Sequence, residues 1–367
     1  MSGGVDSSLT ARLLVERDYD LSAVFMRNWD TRDESGTDSG CEWKKDWEDV
    51  QNVCNLLRIP CEMIDLSREY WTRVFEPSLH YWESGQTPNP DVWCNRSVKF
   101  GALVDRLPPN TQWVATGHYA RKSWIIPSSS SSLPFPPPRP QLLRAVDSNK
   151  DQSYYLSSIP ETSLSKTLFP LGDFTKPQVR EMAKKFGLPT AEREESMGIC
   201  FVGEKRKFRD FLSQYITPKP GRIVDLTSGK TVGIHQGLWD FTIGQGAKIP
   251  GLPERAFVAK KNPVENIVYI VPGSDHPALY SSKIKVKDFT WIWADTPPEG
   301  FFGPDGVHIG VKYRYRSDIV GATIRRENPT NAVVAFDRPQ KAIAPGQIAA
   351  VYASDWCLGC GVIVEAS

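Results

Sequence analysis

The chain has 367 residues, long enough for two or three domains that each bury a core. Its 44 lysines and arginines stand against 43 aspartates and glutamates, which excludes binding of nucleic acid by bulk charge and leaves only a local patch for such a role. Seven scattered cysteines, an odd number in a chain too large to need staples, point to thiols in a reducing compartment, and no apolar run approaches the length that spans a bilayer.

The sequence opens MSGGVDSSLTARLL. Gly3 and Gly4 free the backbone for a tight turn, and a helix starting near Ser7 would aim its unpaired N–H groups at an anion. Such a turn normally follows a buried strand, and none precedes it here, so an incomplete N-terminus is the expectation. Residues 1 to 30 carry neither a secretory signal nor an Arg/Ser-rich transit pattern. SSLTARLLVER places Leu9, Leu13 and Leu14 on one face, LSAVFM reads as a buried strand, and WKKDWEDVQNVCNLL sets Trp43, Trp47, Val50, Cys54 and Leu57 on one stripe. CEMIDL and WVATGHY read as further buried strands. The alternation predicts an α/β fold, an open parallel sheet with helices on both faces, whose ligands bind at the strands' carboxyl ends where the opening loop lies.

Residues 127–140, rich in Ser and Pro, cannot bury enough apolar surface to order themselves and read as a disordered, solvated insertion. LLRAVD, the turn SNKDQ, a helix over SYYLSSI and a helix at KPQVREMAKKFG follow, the last with Pro177 in its first turn and Gly187 past its end. The α/β unit runs to about residue 204. Beyond the amphipathic KRKFRDFLSQYI the chain turns to short β-type runs, which divide into a small central module, 205–280, and a C-terminal β-barrel or sandwich, 281–367.

SGGVDSS lacks the lysine and Ser/Thr of a Walker A loop, so a different cleavage of ATP is implied. In GQTPNPDVWCNRSVKFG, Asn89, Pro90 and Asp91 form a rigid turn, and Cys94 stands before a helix whose N-terminal field favours thiolate. A small buried hydrophobe is the other reading of Cys94. EESMGICFVG holds Cys200 in a Gly-flanked turn. VKYRYR suits phosphate contact and stacking, or equally an ordinary strand with solvated charges, and KRKFR at 205–209 is open in the same way. CLGCG invites a metal, but zinc needs about four ligands and no second pair accompanies Cys357 and Cys360, so no metal is assigned.

The SGGxDS string resembles the PP-loop of the ATP-pyrophosphatases (adenine nucleotide alpha hydrolase-like). FMRNW, TPNPDVWCN, VATGHYAR, NKDQSYYL, FPLGDFTKPQVR, SMGICFVG, HQGLWDFTIGQ, VKYRYRSD, PGQIAAVY and CLGCGVI follow in the order of the tRNA-specific 2-thiouridylase family, and the resemblance covers nearly the whole chain. It implies a PP-loop catalytic domain over 1–204, a tRNA-binding central module over 205–280 and a β-barrel over 281–367. It also implies that ATP, with Mg2+, lies against Ser2, Gly3, Gly4, Val5, Asp6, Ser7, Met26 and Gly117. Asn89, Pro90 and Asp91 would meet the target base with His118 close by. Lys150, Asp151, Gln152, Arg314, Tyr315 and Gln347 would touch tRNA, with the base pocket remote from the barrel.

By the same resemblance Cys200 carries sulfur as a persulfide from a donor protein, Cys94 completes the transfer and ends in a Cys94–Cys200 disulfide, and Asp91 moves the proton. A buried wobble uridine would be flipped out to react. The chain departs from the family at Gly246, where a basic residue is usual, and at Cys360, where glycine is usual. Another adenylate-forming PP-loop enzyme, needing no thiols at 94 and 200, and an inactive tRNA-binding homologue are the alternatives. The Ser/Pro insertion suggests a eukaryotic source and hence the mitochondrial matrix. A bacterial relative would be cytoplasmic, and no membrane partner is expected.

Overall fold

The computed structural model describes residues 1–17, 19–29, 42–126, 137–194 and 208–367. It divides into two compact units. One comprises Met1–Val74, Asp91–Lys205 and Asp355–Cys357, the other Phe75–Pro90, Arg206–Ser354 and Leu358–Ser367.

The first unit is α/β. Its labelled elements are α1 (Val5–Val15), β1 (Ala23–Arg27), α2 (Glu42–Leu57), β2 (Cys61–Asp65), α3 (Pro90–Cys94, whose Pro90 belongs to the second unit), β3 (Val114–Ala115), β4 (Ala120–Ile125), β5 (Arg139–Arg144), β6 (Thr167–Leu168) and α4 (Lys176–Lys185). The stripe read in α2 is as expected: Val50 and Cys54, with Trp43 and Trp47, pack on Ala23 and Phe25 of β1. Val5 and Leu9 of α1 meet Val179 and Ala183 of α4 in a second cluster. α4 starts with a Thr175–Gln178 capping box and has Pro177 in its first turn; Gly187 (φ 64°) follows its end, where Leu188 N–H returns to Ala183 O at 3.0 Å.

Three expectations change. The single parallel sheet is instead two two-stranded parallel sheets, β1 with β2 and β3 with β6, and no described strand joins them. The strands are correspondingly less enclosed than predicted: Glu62, Met63 and Ala115 are exposed. SYYLSSI forms turns rather than a helix, because its serines bond locally, Ser157 Oγ to Tyr154 O (2.7 Å) and Ser153 Oγ to Asp151 Oδ2 (3.0 Å). Finally, β5 begins at Arg139, inside the stretch read as an insertion. It pairs antiparallel with β4, and Arg139 is held by Glu161. β5 also pairs through Leu142 and Leu143 with Cys357 and Trp356.

The second unit is mostly β. After α5 (Phe208–Leu212) come β7 (Gly221–Asp225), β8 (Thr231–His235), β9 (Ala256–Asn262) and β10 (Ile267–Pro272), in the sheet order β8-β7-β10-β9. Then β11 (Tyr280–Trp291), β12 (Val307–Lys312), β13 (Val320–Arg326), β14 (Ala332–Lys341), β15 (Ile348–Ala353) and β16 (Trp356–Ala366) run in the order β11-β14-β13-β12-β15-β16. A β11–β16 pairing closes the ring, so the barrel form of the prediction holds over the sandwich. The apolar side of α5 belongs to an aromatic core, with Phe211 5.9 Å from Phe75 and Phe208 5.4 Å from Trp82. Arg209 faces Asp240 at 3.5 Å, so this part of KRKFRDFLSQYI packs as a structural helix. Residues 205–207 lie outside the described residues.

Candidate functional site

The opening loop forms where expected, but the helix starts at Val5 rather than near Ser7, with Gly4 as its N-cap. Only Gly3 needs glycine's freedom, having φ 74°; a β-carbon there would lie 2.7 Å from Asp46 O. Gly4 has φ −83° and its nearest neighbour to a β-carbon is Ser2 Oγ at 3.7 Å. The hydroxyls turn inward: Ser7 and Ser8 donate to Gly4 O (3.1 and 2.9 Å), and Ser2 N–H donates to Ser7 Oγ (3.1 Å). No side chain caps α1, so its first-turn N–H groups are presented to an anion.

Gly117 brings a second backbone against this loop. A β-carbon on it would sit 2.9 Å from Asp6 C and Ser7 N. Asp6 is fixed by Lys176 and Tyr119: Lys176 Nζ donates to both its oxygens (2.7 and 2.8 Å), and Tyr119 hydroxyl to Oδ1 (2.8 Å). Gln152 brackets Tyr119 in turn, its Oε1 accepting from Tyr119 N–H at 3.0 Å and its N–H donating to Tyr119 O at 2.8 Å. Arg193 clamps the other side, donating to Gly3 O (2.9 Å) and pairing with Asp46 and Asp49 of α2. Met26 stands near the carboxyl end of β1, in register with Ile64 of β2. A phosphate-bearing ligand fits this cradle of uncapped helix and close glycine backbone.

The thiol lies in the same unit. Cys94 ends α3 and is buried; Asn28 Nδ2 is 4.0 Å from its Sγ, and Asn28 Oδ1 is buried without a hydrogen-bond partner among the described residues. After Cys94 the chain is wound as a π-helix over Asn95–Ala102, the i→i+5 form that recurs at functional sites. Asp91, one turn before Cys94, has its carboxyl pushed up by burial, against the pull of Lys99. His118 is 8 % exposed, and burial first, then the Lys99 charge, pushes its imidazole well below the ordinary range. Its Nδ1 is 2.9 Å from Thr116 Oγ1 and its Nε2 is 3.3 Å from Lys99 Nζ.

The structure thus groups Ser2 to Ser7 with Gly117, and Asp91 with His118, through described contacts and shared charge. Asn89 and Pro90 belong to the second unit. There Gln347 Nε2 donates to Thr87 O (2.9 Å) and Pro88 O (3.3 Å), and Thr87 N–H donates to Pro345 O (2.8 Å). The turn at residues 87–90 is therefore anchored on the loop between β14 and β15. Asp151, 1 % exposed, accepts from Ala145 N–H (3.1 Å) and Ser153, so in the free protein its carboxylate serves the fold. Lys150 is partly exposed beside it. Arg314 and Tyr315 fall in the loop after β12, not within a strand; Arg314 is exposed and Lys312 Nζ lies over the Tyr315 ring at 5.7 Å. Cys200 lies outside the described residues. Cys357 and Cys360 are buried three apart in β16, hence on opposite faces, and among the described residues no group of three or more metal-ligating side chains is placed to hold an ion. No described helix is long and apolar enough to cross a membrane.

Lys99, Lys176, Thr116, Asn28 and Arg193 were missed because their types are common and their roles depend on long-range packing. Asn28, Lys99, Thr116 and Lys176 do lie inside the strings FMRNW, NRSVKFG, VATGHYAR and FTKPQVR.

Residues 1–204 match a family model described as tRNA methyl transferase HUP domain, residues 209–272 the corresponding PRC-barrel domain, and residues 281–363 an aminomethyltransferase β-barrel domain. The tRNA-specific 2-thiouridylase MnmA of Staphylococcus aureus strain bovine RF122 / ET3-1 is 41 % identical over 368 residues, covering 100 % of this chain and 94 % of that protein. The proteins of the same name from strains JH9 and Newman are 41 % identical over 362 residues, covering 98 % of this chain and 92 % of theirs. With the phosphate cradle and the buried thiol in one compact unit and similarity running end to end, the chain belongs to the tRNA-specific 2-thiouridylase family.

Proposed function

We propose that this protein is an ATP-dependent sulfurtransferase that replaces O2 of a tRNA wobble uridine by sulfur. The observation that carries the reading is the pairing, in one unit, of an uncapped helix N-terminus that suits a phosphate with a buried thiol, Cys94, one turn from a carboxyl, Asp91, that desolvation pushes up. The uridine O2 is a poor leaving group. Its attack on the α-phosphorus of ATP, bound as the magnesium salt, forms an O2–P bond, releases pyrophosphate and makes O2 part of AMP. Asp91, whose carboxylate desolvation makes a stronger base than an ordinary one, suits removal of the N3 proton.

Cys200 then delivers sulfur from a persulfide supplied by a donor protein. Cys94 attacks the inner sulfur, freeing sulfide and leaving a Cys94–Cys200 disulfide; sulfide forms the S–C2 bond as the C2–O2 bond breaks and AMP departs with the electron pair. A thiol reductant reopens the disulfide. Transfer of a methyl group would have no use for pyrophosphate chemistry or for this thiol. Lys150 and Arg314 supply positive charge for tRNA phosphates, and Tyr315 a stacking face.

Nucleotide products test the reading: unmodified tRNA should trigger conversion of ATP to AMP and pyrophosphate. Cys94→Ser and Cys200→Ser should each abolish thiolation. ADP as product, or full thiolation by either variant, would contradict it.

A further inference from the structure

Lys99 has a setting that a structural lysine rarely has. The sole hydrogen-bond partner of its ammonium among the described residues is a ring nitrogen, His118 Nε2, at 3.3 Å. Thr116 Oγ1 stands 2.9 Å from the opposite nitrogen. With Nδ1–H donated to Thr116, Nε2 is bare and accepts from the ammonium; that tautomer is the one in which both contacts are hydrogen bonds. Among the described residues no carboxylate forms an ion pair with Lys99, and two of its three ammonium N–H donors meet no acceptor.

Placement adds to this. Lys99 lies in the π-wound segment, five residues beyond Cys94, the span that one i→i+5 bond closes. Its charge is felt at Asp91, at His118 and at Met1, the residue leading into the phosphate loop. The cation therefore stands beside the His118 imidazole and acts on the Asp91 carboxyl, in the helical stretch that carries the thiol.

We propose that Lys99 is a catalytic residue of this pocket, donating to uridine O2 as that oxygen is activated and again as it leaves with AMP, with His118 and Thr116 as its positioning residues. The inference rests on the sulfur-transfer reading above. In adenylation the O2–P bond forms as the N3 proton departs; in displacement the S–C2 bond forms, the C2–O2 bond breaks and the electron pair stays on the AMP oxygen. Lys99 gives up no proton in either step. It lowers the energy of negative charge on one oxygen.

The test is single-turnover thiolation at saturating ATP and unmodified tRNA, with a persulfide source, comparing wild type, Lys99→Met and Lys99→Arg. Removing one such donor elsewhere slows turnover about 100- to 1,000-fold, and Lys99→Met should fall in that range. Its KM for ATP should stay within about threefold and its melting temperature should hold, while Lys99→Arg regains part of the rate. A Lys99→Met rate within about threefold of wild type, a loss confined to KM, or a loss that follows a lowered melting temperature would overturn the inference. Should Lys99→Met fail to fold, Lys99→Gln, which keeps a donor for His118 and drops the charge, decides by the same criteria. A wild type that thiolates nothing sinks the underlying reading and this inference with it; an active wild type beside an equally active Lys99→Met sinks the inference alone.

Discussion

Gly3 and Gly4 look equivalent in the string SGGVDSS, yet only one of them needs to be glycine for the fold. Gly3 adopts φ 74° with Asp46 O and Arg193 Nη1 within 2.8 Å of where a β-carbon would sit. Gly3→Ala should therefore lower the melting temperature and weaken ATP binding together, since the left-handed conformation alone costs about 1–2 kcal/mol for other residues. Gly4→Ala should leave unfolding unchanged within about 0.5 kcal/mol, and equal losses in both variants by thermal melting would contradict the assignment. At His118 the sign of the pH dependence follows from the imidazole being held below the ordinary 6.5 by burial and by Lys99. The unfolded chain takes up the proton first, so stability is intact above pH 6.5 and falls as pH drops below it. His118→Asn should flatten that fall in urea midpoints measured from pH 6.5 downward; an unchanged slope would count against a neutral buried imidazole. The motif residues were legible because glycine, cysteine and their spacing leave a local signature. Lys99 was not, because its meaning comes from a ring nitrogen 19 positions away.

At the scale of elements, α1, α2 and α4 were legible from apolar spacing and caps, which act within a few residues. In α4, Thr175→Ala removes the cap and should cost about 1 kcal/mol by urea denaturation, whereas no loss would mean that Gln178 suffices alone. The π-winding over Asn95–Ala102 was not legible, since NRSVKFGA carries no local mark of an i→i+5 helix. SYYLSSI departs from the expected helix because its serines compete for nearby backbone groups, a local effect that outweighs its helical composition. The division of the parallel sheet into two pairs depends on partners distant in sequence, which strand periodicity does not report.

Across the whole molecule, a near-neutral balance says nothing of where single cations stand, such as Lys99 against His118 or the exposed Arg314. The compact units are discontinuous in sequence. Phe75–Pro90 packs with α5 and a barrel loop, and Asp355–Cys357 reaches back toward β5. Such exchanges cannot be read from composition shifts, whereas the order of the motifs identified the family from end to end. The most direct measurement is mass spectrometry of nucleosides from unmodified tRNA incubated with this protein, ATP and a persulfide source. A wobble uridine bearing sulfur in place of O2, formed only when ATP is present and converted to AMP, is the expected result. Uridine left unchanged, or thiolated equally well without ATP, would contradict it.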